Sequence, residues 1–244
     1  MKRSIEIIKF IILLGIMAFL FSFTKKRNDS RKIKKLDVEF VDENSPFITY
    51  NTVNKLLIQN HDKVTSIDKE TLVLKKMEQR LRENPMVRDA QVYISVDGTL
   101  GAKIEQRKPI GRVSASPDYY LDADGKKMPL SDVYSARVPI ITGSSKNNFN
   151  EVTPLLLKIE ADEFMKRSVV GLNRKTDGDI ELELRKVDFK VLFGKPENIY
   201  KKFQNFKAFY KKTKQDSTLY GYGTVSLKFE SQVIATKKEG HGKR

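Results

Sequence analysis

The chain has 244 residues, 39% hydrophobic and 32% charged, and carries a formal net charge of +15. A chain this polar suits small domains better than one large core, and the absence of cysteine excludes disulfides and thiolate metal sites. Its two histidines, His61 and His241, are too few for a zinc centre, and no RNA-binding aromatic pattern accompanies the basic charge.

The first element is apolar. Ile5 to Phe23 is broken only by Glu6 and Lys9 near its start. As a helix it spans about 28 Å, close to the hydrocarbon thickness of a bilayer. The uncharged part alone, Phe10 to Phe23, also has the length of a signal-peptide core, but SFTKKR follows it with no small-x-small cleavage site. The segment therefore reads as an uncleaved anchor, with Lys9 able to snorkel to the interface. Lys2 and Arg3 precede it, with Lys9 near its start, and the denser block KKRNDSRKIKK follows. Charge alone leaves its orientation open, because a long domain can be translocated whatever its charge.

Next, IKKLDVEFV alternates and places Leu36, Val38 and Phe40 on one strand face. ITYNTVNKLLIQ reads as a helix. Thr49 is its N-cap, Ile48 and Val53 form a hydrophobic staple, and Val53, Leu56 and Leu57 are the buried stripe. A second helix runs from about Asp68 with Leu74, Met77 and Leu81 inward, and Asn84-Pro85 ends it. A hairpin follows, with Val92, Ile94 and Val96 on one strand, Asp97-Gly98 at the turn, and Leu100, Ala102 and Ile104 on the return. Strand, helix, helix, strand, strand makes a compact α+β module.

The remainder changes character. GRVSA is a short strand, and DYYLDADGKKMPL is a hairpin turning at Asp124-Gly125. Asp122 and Asp124 resemble part of a calcium loop, yet the ligand spacing and closing Glu are missing, so a plain turn is expected. VPIITG is a buried strand, and one helix is expected from about Asn150 through FNEVTPLLLKIEADEFM. A hairpin turns at Asp177-Gly178, and VDFKVLFG continues the sheet. PENIYKKFQNFKAFYKKTKQ is an amphipathic helix with Pro196 near its start. Ile199, Phe203, Phe206 and Tyr210 face inward and its lysines face water. GTVSLKFESQVIATKK supplies one more strand region. The second unit is thus a mixed sheet with two packing helices.

No catalytic constellation emerges. There is no G-x-S-x-G elbow, and TGSSK lacks the first glycine of a phosphate loop. No triad partner for His61 is identifiable, and Asp177 and Asp179 merely flank a turn glycine. No catalytic, cofactor-binding or metal-binding residue is assigned. What remains is a membrane-tethered, non-enzymatic body with sheet edges, and an exposed edge binds proteins by strand addition.

Four stretches, LDVEFVDENSPFITYNTVNKLL, NPMVRDAQVYISVDGTLGAKIEQRKPIGRV, YYLDADGKKMPL and VPIITG, together resemble the FtsQ/DivIB cell-division family. The resemblance covers nearly the whole chain. It implies a cytoplasmic stub (1–4), a transmembrane helix (5–23), a basic linker (24–35), a POTRA domain (36–109), a β-domain (110–235) and a polar tail (236–244). It implies a single-pass inner-membrane protein with its N-terminus in the cytoplasm and its body in the periplasm, at the division septum. The implied role is a scaffold that binds FtsB- and FtsL-type partners and helps regulate septal peptidoglycan synthesis, with no cofactor. In that family the C-terminal strand adds a partner strand. The matching stretch is TVSLKFESQVIA, with Lys228, Phe229, Ser231, Gln232 and Val233 as the implied contacts. The QRKPIG segment marks the junction of the two domains. Two alternatives stand beside this reading: a POTRA protein handling outer-membrane or secreted clients, and a basic wall-binding membrane protein. The first is disfavoured by the single POTRA unit and the lack of a barrel's strand run. The second predicts binding that falls steeply with salt.

Overall fold

The computed structural model describes residues 2–29, 33, 35–42, 46–58, 74–143 and 149–238. It divides into two compact units between Gln106 and Arg107.

The first unit opens with helix α1, Lys2–Asp29. Ile7–Lys25 is long and apolar enough to cross a membrane, with a mean hydropathy of 2.4. Its side chains are exposed throughout, as expected of a helix whose burying medium is lipid. The helix runs on through the first part of the basic block.

A three-stranded sheet follows. Strand β1 is Lys35–Phe40, and helices α2 (Tyr50–Ile58) and α3 (Leu74–Glu83) come next. Strands β2 (Val87–Ile94) and β3 (Thr99–Gln106) complete the sheet in the order β1-β3-β2. β1 runs parallel to the central β3, and β2 antiparallel to it. The element order is the expected one, and local chemistry explains much of it. Thr49 Oγ1 accepts the Thr52 N–H at 3.1 Å, which caps α2. Val53 and Leu57 are buried, and so are Met77 and Leu81 of α3. Asn84 stops α3: its side-chain oxygen accepts from Met86 N–H at 2.9 Å and its carbonyl from Val87 N–H at 2.9 Å. Gly98 takes φ +89° in the hairpin turn, a conformation that favours glycine. Val96 departs from its expected place. It lies past the end of β2 in the turn and is 85% exposed, because pairing stops at Ile94↔Leu100. The expected start of α3 at Asp68, and His61, lie outside the described residues.

The second unit holds a nine-stranded mixed sheet. Its strands are β4 (Pro109–Val113), β5 (Tyr119–Asp122), β6 (Lys127–Pro129), β7 (Ile140–Gly143), β8 (Val169–Arg174) and β9 (Ile180–Leu184). β10 (Lys190–Gly194), β11 (Tyr222–Ser226) and β12 (Ile234–Lys237) complete it. The spatial order is β12-β11-β10-β9-β8-β7-β4-β5-β6. β4/β7, β7/β8 and β10/β11 are parallel pairs, and the others are antiparallel. Helices α4 (Thr153–Ala161), α5 (Glu163–Ser168) and α6 (Ile199–Gln215) contribute Leu155, Leu156, Ile159, Met165, Phe203 and Phe206 to the core.

Three expectations are corrected here. The single helix from Asn150 is two helices, preceded by a 3-10 turn at Asn150–Val152. Asp162 divides them. It is extended (φ −103°, ψ 110°), and its carboxylate accepts the Phe164 and Met165 N–H groups at 3.1 Å each. A residue that caps a new helix cannot continue the old one. Second, the lysines of α6 are not all on the wet face, because Lys202 is buried among the carbonyls that end β10. Third, the last strand region is two antiparallel strands, β11 and β12, joined by a connection.

The Asp122 turn is a plain one. Asp122 Oδ1 accepts the Asp124 and Lys126 N–H groups at 3.0 and 2.7 Å, and Oδ2 pairs with Arg107 at 2.7 Å. Asp122 is buried, so its carboxylate is committed to the fold.

Candidate partner-docking edge

β12 is the outermost strand at one end of the nine-stranded sheet. It pairs inward with β11 through Thr224↔Thr236, Val225↔Ala235 and Ser226↔Ile234. Lys238 N–H donates to Gly221 C=O at 2.9 Å, towards β11. Leu227 N–H donates to Leu192 C=O at 2.8 Å, on the other side of β11. Alternation along both strands then makes Thr236 and Ile234 the inward-bonding residues of β12 and turns the N–H groups of Ala235 and Lys237 outward. Among the described residues, a short ladder of backbone donors and acceptors is left on that side. Ile234, Thr236 and Lys237 are exposed, while Ala235 leans on the core.

The connection before β12 is held in a defined place. Leu227 is buried and ends the β11 run. Lys228 pairs with Asp179 of the β8–β9 turn. That hydrogen bond raises the Lys228 ammonium above the ordinary lysine range, against a smaller opposing effect of burial. Glu230 is gripped by the start of α6. Its carboxylate takes the Asn198 side-chain N–H and lies 3.9 Å from Lys201, and its carbonyl accepts from Asn205 at 3.0 Å. Gly194, at φ +74°, lies under the connection, and a Cβ there would come 3.1 Å from Lys228 Cγ.

Behind this lies Lys202. Its Nζ donates to Phe193 C=O at 3.0 Å and Lys195 C=O at 2.8 Å, and sits 4.6 Å from the centre of the Phe193 ring. Burial lowers its pKa below the ordinary lysine value, and nearby Glu197 opposes the shift. Lys202 ties the first turn of α6 to the end of β10. The same turn carries Asn198 and Lys201, which hold Glu230.

The five sequence-expected contacts therefore sit together, but in the β11–β12 connection and not on a strand. Lys228, Phe229, Ser231 and Gln232 are exposed, Phe229 at 50%, and Val233 packs partly against the core. The strand itself, Ile234–Lys237, lies beyond them. The signal was ambiguous: Val225, Leu227 and Phe229 continue one alternation, and no glycine or proline marks where the chain leaves the sheet. The roles of Glu230 and Lys202 carry no local signature at all.

The first unit treats its edges differently. Glu78 of α3 accepts the Val92 N–H at 2.9 Å, so a helix side chain already occupies part of the β2 edge. β1 presents the exposed charges Lys35, Asp37 and Glu39.

Residues 108–236 match the FtsQ/DivIB, C-terminal related family, a span that reaches into β12. The chain belongs to the FtsQ/DivIB family. Residues 31–105 match the POTRA-like domain and take in β1, α2, α3, β2 and all but the last residue of β3. No curated relative matches the chain. FtsQ/DivIB proteins are membrane-anchored, non-enzymatic cell-division scaffolds, and this chain has their domain plan behind a helix able to span a membrane. It is a division-related scaffold protein of the α+β class.

Proposed function

We propose that the protein is a non-enzymatic divisome scaffold that captures a strand of a single-span partner of the FtsB or FtsL type on the outer side of β12. Its N-terminus lies in the cytoplasm, α1 crosses the inner membrane, and both folded units, the POTRA domain and the β-domain, stand in the periplasm at the septum. Holding the partner there helps regulate septal peptidoglycan synthesis. The observation that carries this reading is that, among the described residues, no strand pairs with the outer side of β12, which has a backbone ladder and no proline. An added strand satisfies those N–H and C=O groups, and its alternate side chains meet Ile234, Thr236 and the exposed connection at Lys228–Gln232.

The test is recovery of partners from crosslinked membranes with the tagged full chain, wild type against Ala235→Pro and Lys237→Pro. Proline removes an outward N–H at either position and leaves the β11 ladder intact. Loss of small single-span division proteins in both variants, with unchanged circular dichroism, is the expected result. Undiminished recovery in both would move the partner elsewhere, and recovery of no such protein by the wild type would end the divisome reading.

A further inference from the structure

Far along the same sheet, a cavity of about 330 Å³ opens where β7 and β8 begin. The parallel ladder between these strands starts at Ile140↔Gly171. Before it, Arg137–Pro139 and Val169–Val170 line the opening without pairing to each other. The floor is apolar, since Ile110, Leu156, Ile159 and Val169 are all buried. The rim is basic: Arg137, Lys166 and Arg185 line it and are exposed. The acid among the lining residues, Glu160, is already matched by Lys166 at 2.8 Å and Lys108 at 3.7 Å. Among the described residues neither Arg137 nor Arg185 has an ion-pair partner.

We infer that this cavity docks an acidic peptide segment of a partner protein. One aliphatic side chain enters the floor, and flanking carboxylates meet Arg137 and Arg185. Charge complementarity selects this occupant. A guanidinium fork matches a carboxylate in shape and charge, and a cationic rim round an apolar floor repels basic segments and leaves a purely polar one poorly buried. The volume is at the small end of ligand pockets, which fits a side chain with its flanking backbone. The site is separate from the β12 edge. β8 lies four strand places from β12, about 19 Å at the usual spacing, so one added strand does not reach it. The inference stands whether or not β12 takes a partner.

The experiment uses the full chain in phosphatidylcholine nanodiscs, with Ile, Leu and Val methyl groups labelled for NMR. The probe is acetyl-Glu-Leu-Glu-amide, with acetyl-Gln-Leu-Gln-amide and acetyl-Lys-Leu-Lys-amide as controls. Saturable shifts of the Ile110, Ile140, Leu156 and Ile159 methyls are expected with the acidic probe, weakening as salt is added. The neutral probe should bind about 10-fold more weakly, the basic one not measurably. Arg137→Glu and Arg185→Glu should each weaken acidic binding by about 10-fold while leaving distant methyl signals unmoved. No shifts, equal binding of the neutral probe, or unchanged binding in both variants would overturn the inference. So would the same shifts appearing in phosphatidylglycerol discs without peptide, which would assign the cavity to lipid headgroups.

Discussion

At one end of the nine-stranded sheet, β6 offers the residues Lys127–Pro129; at the other, β12 offers Ile234–Lys237. β6 is very short, ends in a proline without an N–H, and carries an exposed lysine whose Nζ lies 4.8 Å over the Tyr119 ring. These are standard ways of blunting an edge against unwanted pairing. β12 has no proline, keeps Ile234 exposed, and is preceded by a connection fixed by Lys228 and Glu230. One sheet thus has one blunted end and one unblunted end, and it is the second that the proposed function assigns to a partner strand. The supports differ too. The β6 end rests on the buried Asp122 and its partly exposed partner Arg107, while the β12 end rests on Lys202, buried against backbone carbonyls.

The sharpest way to break this comparison is to blunt the open end. Lys237→Pro gives β12 the device that β6 already has. It should weaken capture of a strand-adding partner by on the order of 100-fold, read by titrating the purified partner. The reciprocal change, Pro129→Thr, should leave that affinity unchanged. If Pro129→Thr alters it, the ends are not functionally distinct.

A second prediction separates support from function. Asp122→Ala leaves Arg107 without its carboxylate and two turn N–H groups without an acceptor. Removing one partner of a fully buried pair costs about 3–5 kcal/mol; Arg107 is partly exposed, so about 2 kcal/mol is expected here. Chemical denaturation reads the loss, and the remaining folded protein should bind its partner normally. A loss of affinity in the folded fraction would mean that the two ends communicate through the sheet.

The third prediction weakens the support at the open end. Lys202→Met leaves the Phe193 and Lys195 carbonyls without their donor but removes a desolvated charge. A net cost of about 1 kcal/mol is expected. The pH dependence has a definite sign. Burial lowers the folded-state pKa of Lys202, so between that value and the ordinary 10.5 the unfolded chain binds more protons. The folded state is penalised below that window, and the penalty is relieved as pH rises through it. Wild type should gain stability relative to Lys202→Met as pH is raised towards 10.5, in paired thermal melts.

Much of the fold is written in short-range chemistry. Thr49 caps α2, Asn84 stops α3, and Gly98, Gly125 and Gly178 mark hairpin turns by taking positive φ. Each signal lies within a few residues of its effect. The places where the structure departs from local pattern share the opposite property. Asp162 sits in a run of good helix formers, and its role as a cap is secured by Lys207, 45 positions away, at 2.7 Å. Lys202 occupies a lysine-rich helix face, and only the carbonyls at the end of β10 make it a core residue. The β11–β12 connection reads as more strand because Phe229 keeps the alternation. What turns it out of the sheet is the grip on Glu230 by Asn198 and Asn205, 32 and 25 residues earlier. The last strand was legible as a region, and it begins a few residues later than the alternation predicts, because its bounds depend on long-range side chains.

The smallest expected effect tests whether the connection is prearranged for binding. Lys228 and Asp179 form a half-exposed ion pair, and such pairs contribute less than about 1 kcal/mol to stability. Lys228→Ala should therefore barely move the melting temperature. Its effect should fall on partner affinity, a few-fold weaker, because the connection before β12 must then be ordered at the moment of binding. The pair also has a pH signature. The folded pKa of Lys228 is raised, so its contribution is complete below about 10.5 and is lost as pH rises through the folded value. Asp179→Asn should reproduce the affinity loss, and the double variant should be no worse than either single one. If the two losses add, Lys228 contacts the partner directly and not through Asp179, and the connection is a contact surface in its own right.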